Sequence, residues 1–161
     1  MTNKMLVPFA GTLQSIRPMA NDCCTLLAGI RNPGEYAEFT ISADTYVIQE
    51  TRLRPGMPVT AFYDPSVPVP LIYPPRYRAV MIGRRNSNET IAAEYFNDNL
   101  ENADQTLRLN LSPGVEIVSS LGQPFSCPIE NHFLVVYYSI TTRSLPAQTT
   151  PRKIIVVCRD L

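Results

Sequence analysis

The chain has 161 residues, 45% apolar and 17% charged, with 14 basic and 14 acidic side chains and a formal net charge of zero. A chain this long supports one ordinary domain or two very small ones, and it buries roughly 70% of its unfolded surface without a metal or disulfide framework. The balanced charge excludes a strongly basic nucleic-acid arm and an acidic tail, while 15 prolines, and 12 arginines against two lysines (Lys4, Lys153), are the compositional outliers.

At the N-terminus, the apolar run 5–10 is interrupted by Pro8 and is too short for the h-region of a signal peptide. No stretch approaches the ~18 apolar residues of a membrane helix. The sequence as it stands reads as cytoplasmic, or as exported if a leader has been removed from it. Beyond this point strand signals dominate: short runs rich in Val, Ile, Thr, Tyr and Phe lie between clusters of Pro, Gly, Asn and Asp. The predicted strands run over 9–16, 25–30, 37–42, 46–49, 58–63 and 77–82 in the first half, and over 90–95, 106–110, 116–118, 133–138 and 153–158 in the second. Turn signals separate them at Asn32-Pro33-Gly34, Arg54-Pro55-Gly56, Ser112-Pro113-Gly114 and Leu121-Gly122-Gln123-Pro124. Segment 90–100 fits a short helix after Asn88 or a strand with Ile91, Ala93 and Tyr95 on one face, and the repeat described next favours the strand.

The two halves match each other. Phe39-Thr40-Ile41-Ser42 and Val47-Ile48 align with Leu109-Asn110-Leu111-Ser112 and Ile117-Val118 at an offset of 70. The run 59–63 aligns with 134–138 at an offset of 75, and Pro70, Pro75, Arg76 and Val80 align with Pro146, Pro151, Arg152 and Val156 at an offset of 76. A unit of about 80 residues is too long for a solenoid repeat. Five or six short strands with a long loop before the last one suggest an OB-like barrel. The expected architecture is therefore all-β: two tandem OB-like small β-barrel units related by internal duplication, residues 1–83 and 84–161, packed as one compact body and joined through the polar stretch 83–89.

Two stretches carry a family resemblance. One is SITTRSLPAQTTP at 139–151 followed by Arg152-Lys153-Ile154-Ile155-Val156-Val157. The other is Phe62-Tyr63-Asp64 followed by Pro68-Val69-Pro70-Leu71-Ile72-Tyr73-Pro74-Pro75. Over about residues 9–158 the chain resembles uncharacterised β-rich modules of Gram-positive bacteria. These modules are found alone, or ahead of copper amine oxidase N-terminal-like (stalk) domains in exported proteins. The resemblance implies a β-rich fold and no assigned activity.

The residues point away from catalysis. His132 is the single imidazole, and no HExxH, CxxC, GxSxG or glycine-rich phosphate loop occurs. Cys23, Cys24, Cys127 and Cys158 match no zinc spacing and are expected to be buried free thiols. No enzyme activity, cofactor or metal is expected. The candidate ligand contacts lie in and beside the Pro-rich loops: Tyr73, Arg76 and Tyr77 in the first half, and Arg143, Gln148 and Arg152 in the second, with the two loops forming one recognition surface. Arginine offers a planar donor fork and tyrosine an amphipathic ring for such contacts. The expected function is a non-enzymatic binding or assembly module. Its partner would be a protein or a cell-envelope (cell-wall) polymer, and homo-oligomers are also open. The alternative is single-stranded nucleic-acid binding, the usual task of OB folds, which needs a basic groove with aromatic platforms. The predicted central strands 25–30 and 37–42 carry one aromatic residue, Phe39.

Overall fold

The computed structural model describes residues 4–161. The protein is all-β: thirteen strands, one short 3-10 turn at Ile48–Glu50, and no α-helix among the described residues. Among the described residues no helix is long and apolar enough to cross a membrane. The described chain divides into two compact units, Leu6–Ser87 and Asn88–Leu161, with Lys4 and Met5 belonging to the second.

The N-terminal unit contains β1 (Val7–Met19), β2 (Asp22–Arg31), β3 (Tyr36–Ile41), β4 (Tyr46–Val47), β5 (Pro58–Tyr63), β6 (Arg76–Arg78) and β7 (Met81–Arg84). Side chains alternate across a strand, and β1 follows that rule in burying Phe9, Gly11 and Leu13 while exposing the residues between them. β1 pairs antiparallel with β2 and β5, β2 antiparallel with β3, and β3 parallel with β6. β7 pairs antiparallel with β5 and parallel with β4. Only Ala79 and Val80 separate β6 from β7, and both remain engaged: the Ala79 amide donates to the Thr40 carbonyl at 3.0 Å and the Val80 amide to that of Phe62 at 2.8 Å. The pairings therefore run from β1 through β2, β3 and β6, cross Ala79-Val80 into β7, and return through β5 to β1.

The C-terminal unit contains β8 (Thr90–Phe96), β9 (Leu107–Leu109), β10 (Glu116–Ser119), β11 (His132–Tyr138), β12 (Ala147–Thr149) and β13 (Lys153–Val156). Segment 90–96 is a strand, not the helix that its spacing also allowed. β8 pairs antiparallel with β11, β11 antiparallel with β13, β10 parallel with β13, and β9 parallel with β12. Two single bridges, Phe96↔Asn102 and Glu101↔Arg108, link β8 to β9 through residues 101–102.

Each pairing of β8 to β13 has a counterpart of the same direction in the N-terminal unit. β8·β11 answers β1·β5, β11·β13 answers β5·β7, β10·β13 answers β4·β7, and β9·β12 answers β3·β6. The two bridges stand where β1·β2 and β2·β3 stand in the other unit. The correspondences read at an offset of 76 are corrected: Glu38 pairs with Arg76 as Arg108 pairs with Gln148, so Arg76 is placed like Gln148 and not like Arg152. Ile82 pairs with Ala61, and Ile154 pairs with Val136. The Val80 amide donates to Phe62 just as the Arg152 amide donates to Tyr137. Val80 thus corresponds to Arg152, not to Val156. The sequence match had followed the prolines, which belong to loops of different length and set no strand register.

Each unit has its own core. In the first, Leu13, Ala28, Ile30, Phe39, Val59, Ala61 and Ile82 are sealed from solvent, with Tyr63 and Tyr77 packed at the margin. In the second the core is built by Phe96, Leu134, Val136, Ile154 and Val156 with Leu107 and Leu109. Each large side chain buried this way contributes about 1.5–3 kcal/mol.

The cysteines overturn an expectation: all four are free and exposed. For Cys23 and Cys24 the cause is a register break at the β1–β2 turn. Pro18 pairs with Leu26 and Met19 with Asp22, so residues 23–25 face no partner and lie beyond the core. The Asp22 carboxylate organises them, accepting from the Thr25 hydroxyl at 2.6 Å and the Cys24 amide at 3.0 Å. These two hydrogen bonds, Thr25 first, hold the Asp22 carboxyl below its ordinary value.

Candidate recognition loops

The segment between β5 and β6 leaves the sheet of the N-terminal unit at Tyr63 and returns at Arg76. Its interior, 65–75, reads PSVPVPLIYPP and holds no charged residue. Five prolines lower the entropy of the free chain and remove five amide donors. Asp64 starts the excursion with a turn: its carboxylate accepts from the Ser66 amide at 3.0 Å and the Ser66 hydroxyl at 2.7 Å, and its carbonyl accepts from the Val67 amide at 3.3 Å. The apolar side chains then face water. Leu71 is 103% exposed and Tyr73 87%, with Val67, Val69 and Ile72 exposed as well. A run of this kind is uncommon on a soluble surface unless it is covered in use.

Both feet of the loop are fixed. The Tyr63 and Tyr77 rings stack at 4.0 Å between centroids, and both lie beside Phe39. Burial, then the adjoining Tyr77 hydroxyl and the charge of Glu35, pushes the Tyr63 phenol above its ordinary value. Arg76 Nη2 and Nε both donate to Glu38 Oε1, at 3.0 and 3.3 Å. That ion pair sits across the parallel β3·β6 register, where Glu38 faces Arg76.

The corresponding loop of the C-terminal unit, 139–146, is shorter and tied to itself. The Thr142 amide donates to the Gln148 carbonyl at 2.9 Å, and the Gln148 amide donates back to Thr142 Oγ1 at 2.9 Å. The Thr149 hydroxyl donates to the Ile140 carbonyl at 2.6 Å. This knot leaves Ile140 81% and Leu145 83% exposed.

The six sequence-derived candidates thus divide. Tyr73 and Arg143 are exposed loop residues. Arg76 and Tyr77 lie in β6 and hold the loop base together. Gln148 lies in β12, a strand absent from the sequence reading, and its Oε1 accepts from Asn110 Nδ2 at 3.0 Å. Arg152 is engaged most fully: Nε and Nη2 donate to the two carboxylate oxygens of Glu89 at 2.8 and 2.9 Å, and the guanidinium lies over the Tyr137 ring. The hydrogen bonds to Glu89 raise its pKa further. Four of the six candidates therefore already have structural partners within their own unit. The exposed apolar residues Leu71, Ile72, Ile140 and Leu145 were not singled out from the sequence. For Leu71 and Ile72, the position between Pro70 and Pro74 with no charge beside them was the available signal.

His132 and Glu94 are also engaged. His132 Nδ1 lies 2.9 Å from the Glu130 carbonyl and 3.2 Å from that of Ile129, and its ring meets Phe125 edge-on. Glu94 shares the inward row of β8 with Ala92 and Phe96, opposite Leu134, and accepts from Asn102 Nδ2 at 3.1 and 3.3 Å. Burial chiefly, with the charge of Asp104, raises the Glu94 carboxyl above its ordinary value, against the Asn102 hydrogen bond. The neighbouring Tyr138 phenol is also raised, by burial and then by Glu94. Among the described residues no group of three or more His, Cys, Asp or Glu side chains is placed to hold a metal ion. No family model matches the chain, and no curated protein matches its sequence.

Proposed function

We propose that this protein is a non-enzymatic binding or assembly module. In this reading its two units are duplicated OB-like barrels, and their Pro-rich loops recognise a protein or a cell-envelope polymer. The single observation that carries the binding reading is the display of fully exposed apolar side chains on loops whose bases are fixed: Leu71 and Tyr73 above the Tyr63–Tyr77 stack. A surface held in its bound form loses little entropy on association. The OB-like assignment is supported by the order of pairings. In each unit an antiparallel series leads to a parallel pair, and the final stretch of chain then pairs back toward the first strand. Duplication is supported by the recurrence of those pairings with the same directions.

Nucleic-acid binding is the weaker reading because three arginines beside the loops are already matched by carboxylates. Arg76 pairs with Glu38, Arg78 with Asp44, and Arg152 with Glu89. The discriminating experiment titrates fluorescent single-stranded DNA and RNA with the full chain at low and moderate salt. The binding-loop reading expects no association at either salt. Micromolar binding that falls steeply with salt would establish phosphate contacts and overturn the ranking. In a parallel assay with purified cell-wall polymer and with candidate proteins, retention should be lost on replacing Leu71 or Leu145 by Asp.

A further inference from the structure

We propose that Arg85 is the centre of a carboxylate-recognition surface on the N-terminal unit, which takes an acidic segment of a partner protein. The surface is independent of the Pro-rich loop. β5 begins at Pro58 and ends at Tyr63, and the two sites use its opposite ends. Backbone contacts assemble it. The stretch 48–58 starts and finishes against the end of β7. Ile48 packs on Gly83 so closely that a Cβ there would meet its Cδ1 at 2.8 Å. At the other end the Arg85 amide donates to the Pro58 carbonyl at 2.9 Å. Between these anchors Leu53 packs against the core, and Arg52 and Arg54 on either side of it are exposed. Arg84, exposed, and Arg85, partly buried, follow Gly83 directly.

The local charge is unbalanced. The N-terminal unit holds eight arginines and six carboxylates. Glu38 and Asp44 are taken by Arg76 and Arg78, and Asp22 and Asp64 accept from turn amides. Among the described residues Arg52, Arg54, Arg84 and Arg85 form no ion pair, and Glu50 is the single carboxylate in 48–58. Arg85 selects the ligand. Its Nε is buried without a hydrogen-bond partner, and a buried donor that lacks an acceptor is costly. Arg76 and Arg152 show what this edge of the guanidinium takes: each donates through Nε and Nη2 to a glutamate. Turning outward to a carboxylate gives Arg85 the same fork, and no ion pair holds it back. Single-stranded nucleic acid is the poorer fit, because neither 48–58 nor 81–85 contains an aromatic ring on which bases could stack.

The test follows the fluorescence anisotropy of three labelled probes with the full chain at low and moderate salt: an Asp/Glu decapeptide, a Gly/Ser decapeptide, and single-stranded DNA of the same net charge as the first. The expected result is saturable binding of the acidic peptide alone, its midpoint weakening at least fivefold at moderate salt. The midpoint should also weaken at least tenfold in Arg85→Gln and at least threefold in the double variant Arg52→Gln/Arg54→Gln, each with an unchanged melting temperature. It should stay within twofold in Arg17→Gln, which removes an exposed arginine of β1. Silence of the acidic peptide overturns the proposal, as does binding that survives Arg85→Gln or falls equally in Arg17→Gln. DNA that binds as tightly as the peptide overturns it in favour of a phosphate site. The loop reading fails separately, through loss of the Leu71- or Leu145-dependent retention by cell-wall polymer or protein.

Discussion

The rings of Tyr63 and Tyr77 lie 4.0 Å apart and 14° from parallel. Tyr63 ends β5 and Tyr77 is the central residue of β6, so one stacked pair joins the exit and the return of the Pro-rich loop. Phe39, on the strand that pairs with β6, carries the stack into the core, with Phe9 beyond it.

That arrangement makes Tyr77→Ala a two-part loss, of packing and of loop anchorage. Truncating a well-buried aromatic costs about 3–5 kcal/mol, and at this half-buried margin about 2–3 kcal/mol is expected. Tyr77→Phe keeps the stack and should cost under about 1 kcal/mol. Thermal denaturation of the two variants checks this, and equal losses would show that the hydroxyl, not the ring, anchors the loop.

Glu94 gives the C-terminal unit a pH signature. Its carboxyl is raised above 4.5, first by burial and then by Asp104. The native state therefore binds this proton more tightly than the unfolded chain. The resulting penalty is absent below the unfolded value and develops as pH rises through the folded one. Glu94→Gln should melt higher than the parent at pH 7, and the difference should close by pH 4. A variant that melts lower at pH 7 would mean that the carboxylate's bond to Asn102 outweighs its burial.

Glu89 is nearly sealed from solvent, whereas Arg152 is half exposed. Removing the guanidinium leaves a carboxylate in poor solvent, which is the costly way to break a pair. After allowance for screening at the exposed end, Arg152→Ala should cost about 1–2 kcal/mol. Adding Glu89→Gln should return part of that loss, and a double-mutant cycle reads the coupling. Simple additivity would show that the two side chains act independently.

Core and loop should respond oppositely to charge. Val156 is fully buried and pairs with Leu134 and Ser119. Val156→Asp buries an unpaired carboxylate, which exceeds what a fold stable by about 5–15 kcal/mol tolerates, so no soluble protein is expected. Leu145→Asp adds the same charge at an exposed tip and should leave the melting temperature within about 1 °C, as surface changes do. Soluble, folded Val156→Asp would contradict the position of β13.

The strands were legible because their residues alternate and because prolines and glycines punctuate them. β12 was not: Ala147-Gln148-Thr149 follows a proline, is short, and holds one β-branched side chain. Its existence depends on Leu107–Leu109, far away in the chain. The partners of two candidate arginines were hidden for a related reason. Arg76 and Arg152 carry the right chemistry for ligand contact, but their carboxylate partners lie 38 and 63 residues distant. The parallel β3·β6 register brings Glu38 to Arg76, the antiparallel β8·β11·β13 series brings Glu89 near Arg152, and no local pattern announces either contact. The cysteines were misjudged by applying the usual burial of free thiols to a turn whose register slips.

The final segment of the N-terminal unit, β6 and β7, joins two strands that share no backbone pairing, β3 through β6 and β5 through β7. During synthesis, Leu6–Tyr63 alone lacks the segment that links its two outer strands. Once residue 84 has cleared the ribosome, every strand of that unit is available while most of the second unit has yet to be made. Folding during translation is therefore set up as two successive steps, each waiting on its unit's final few residues. A pause in synthesis just after β7 would favour a finished first unit, and a pause just before it would leave the edges of β3 and β5 open to other chains.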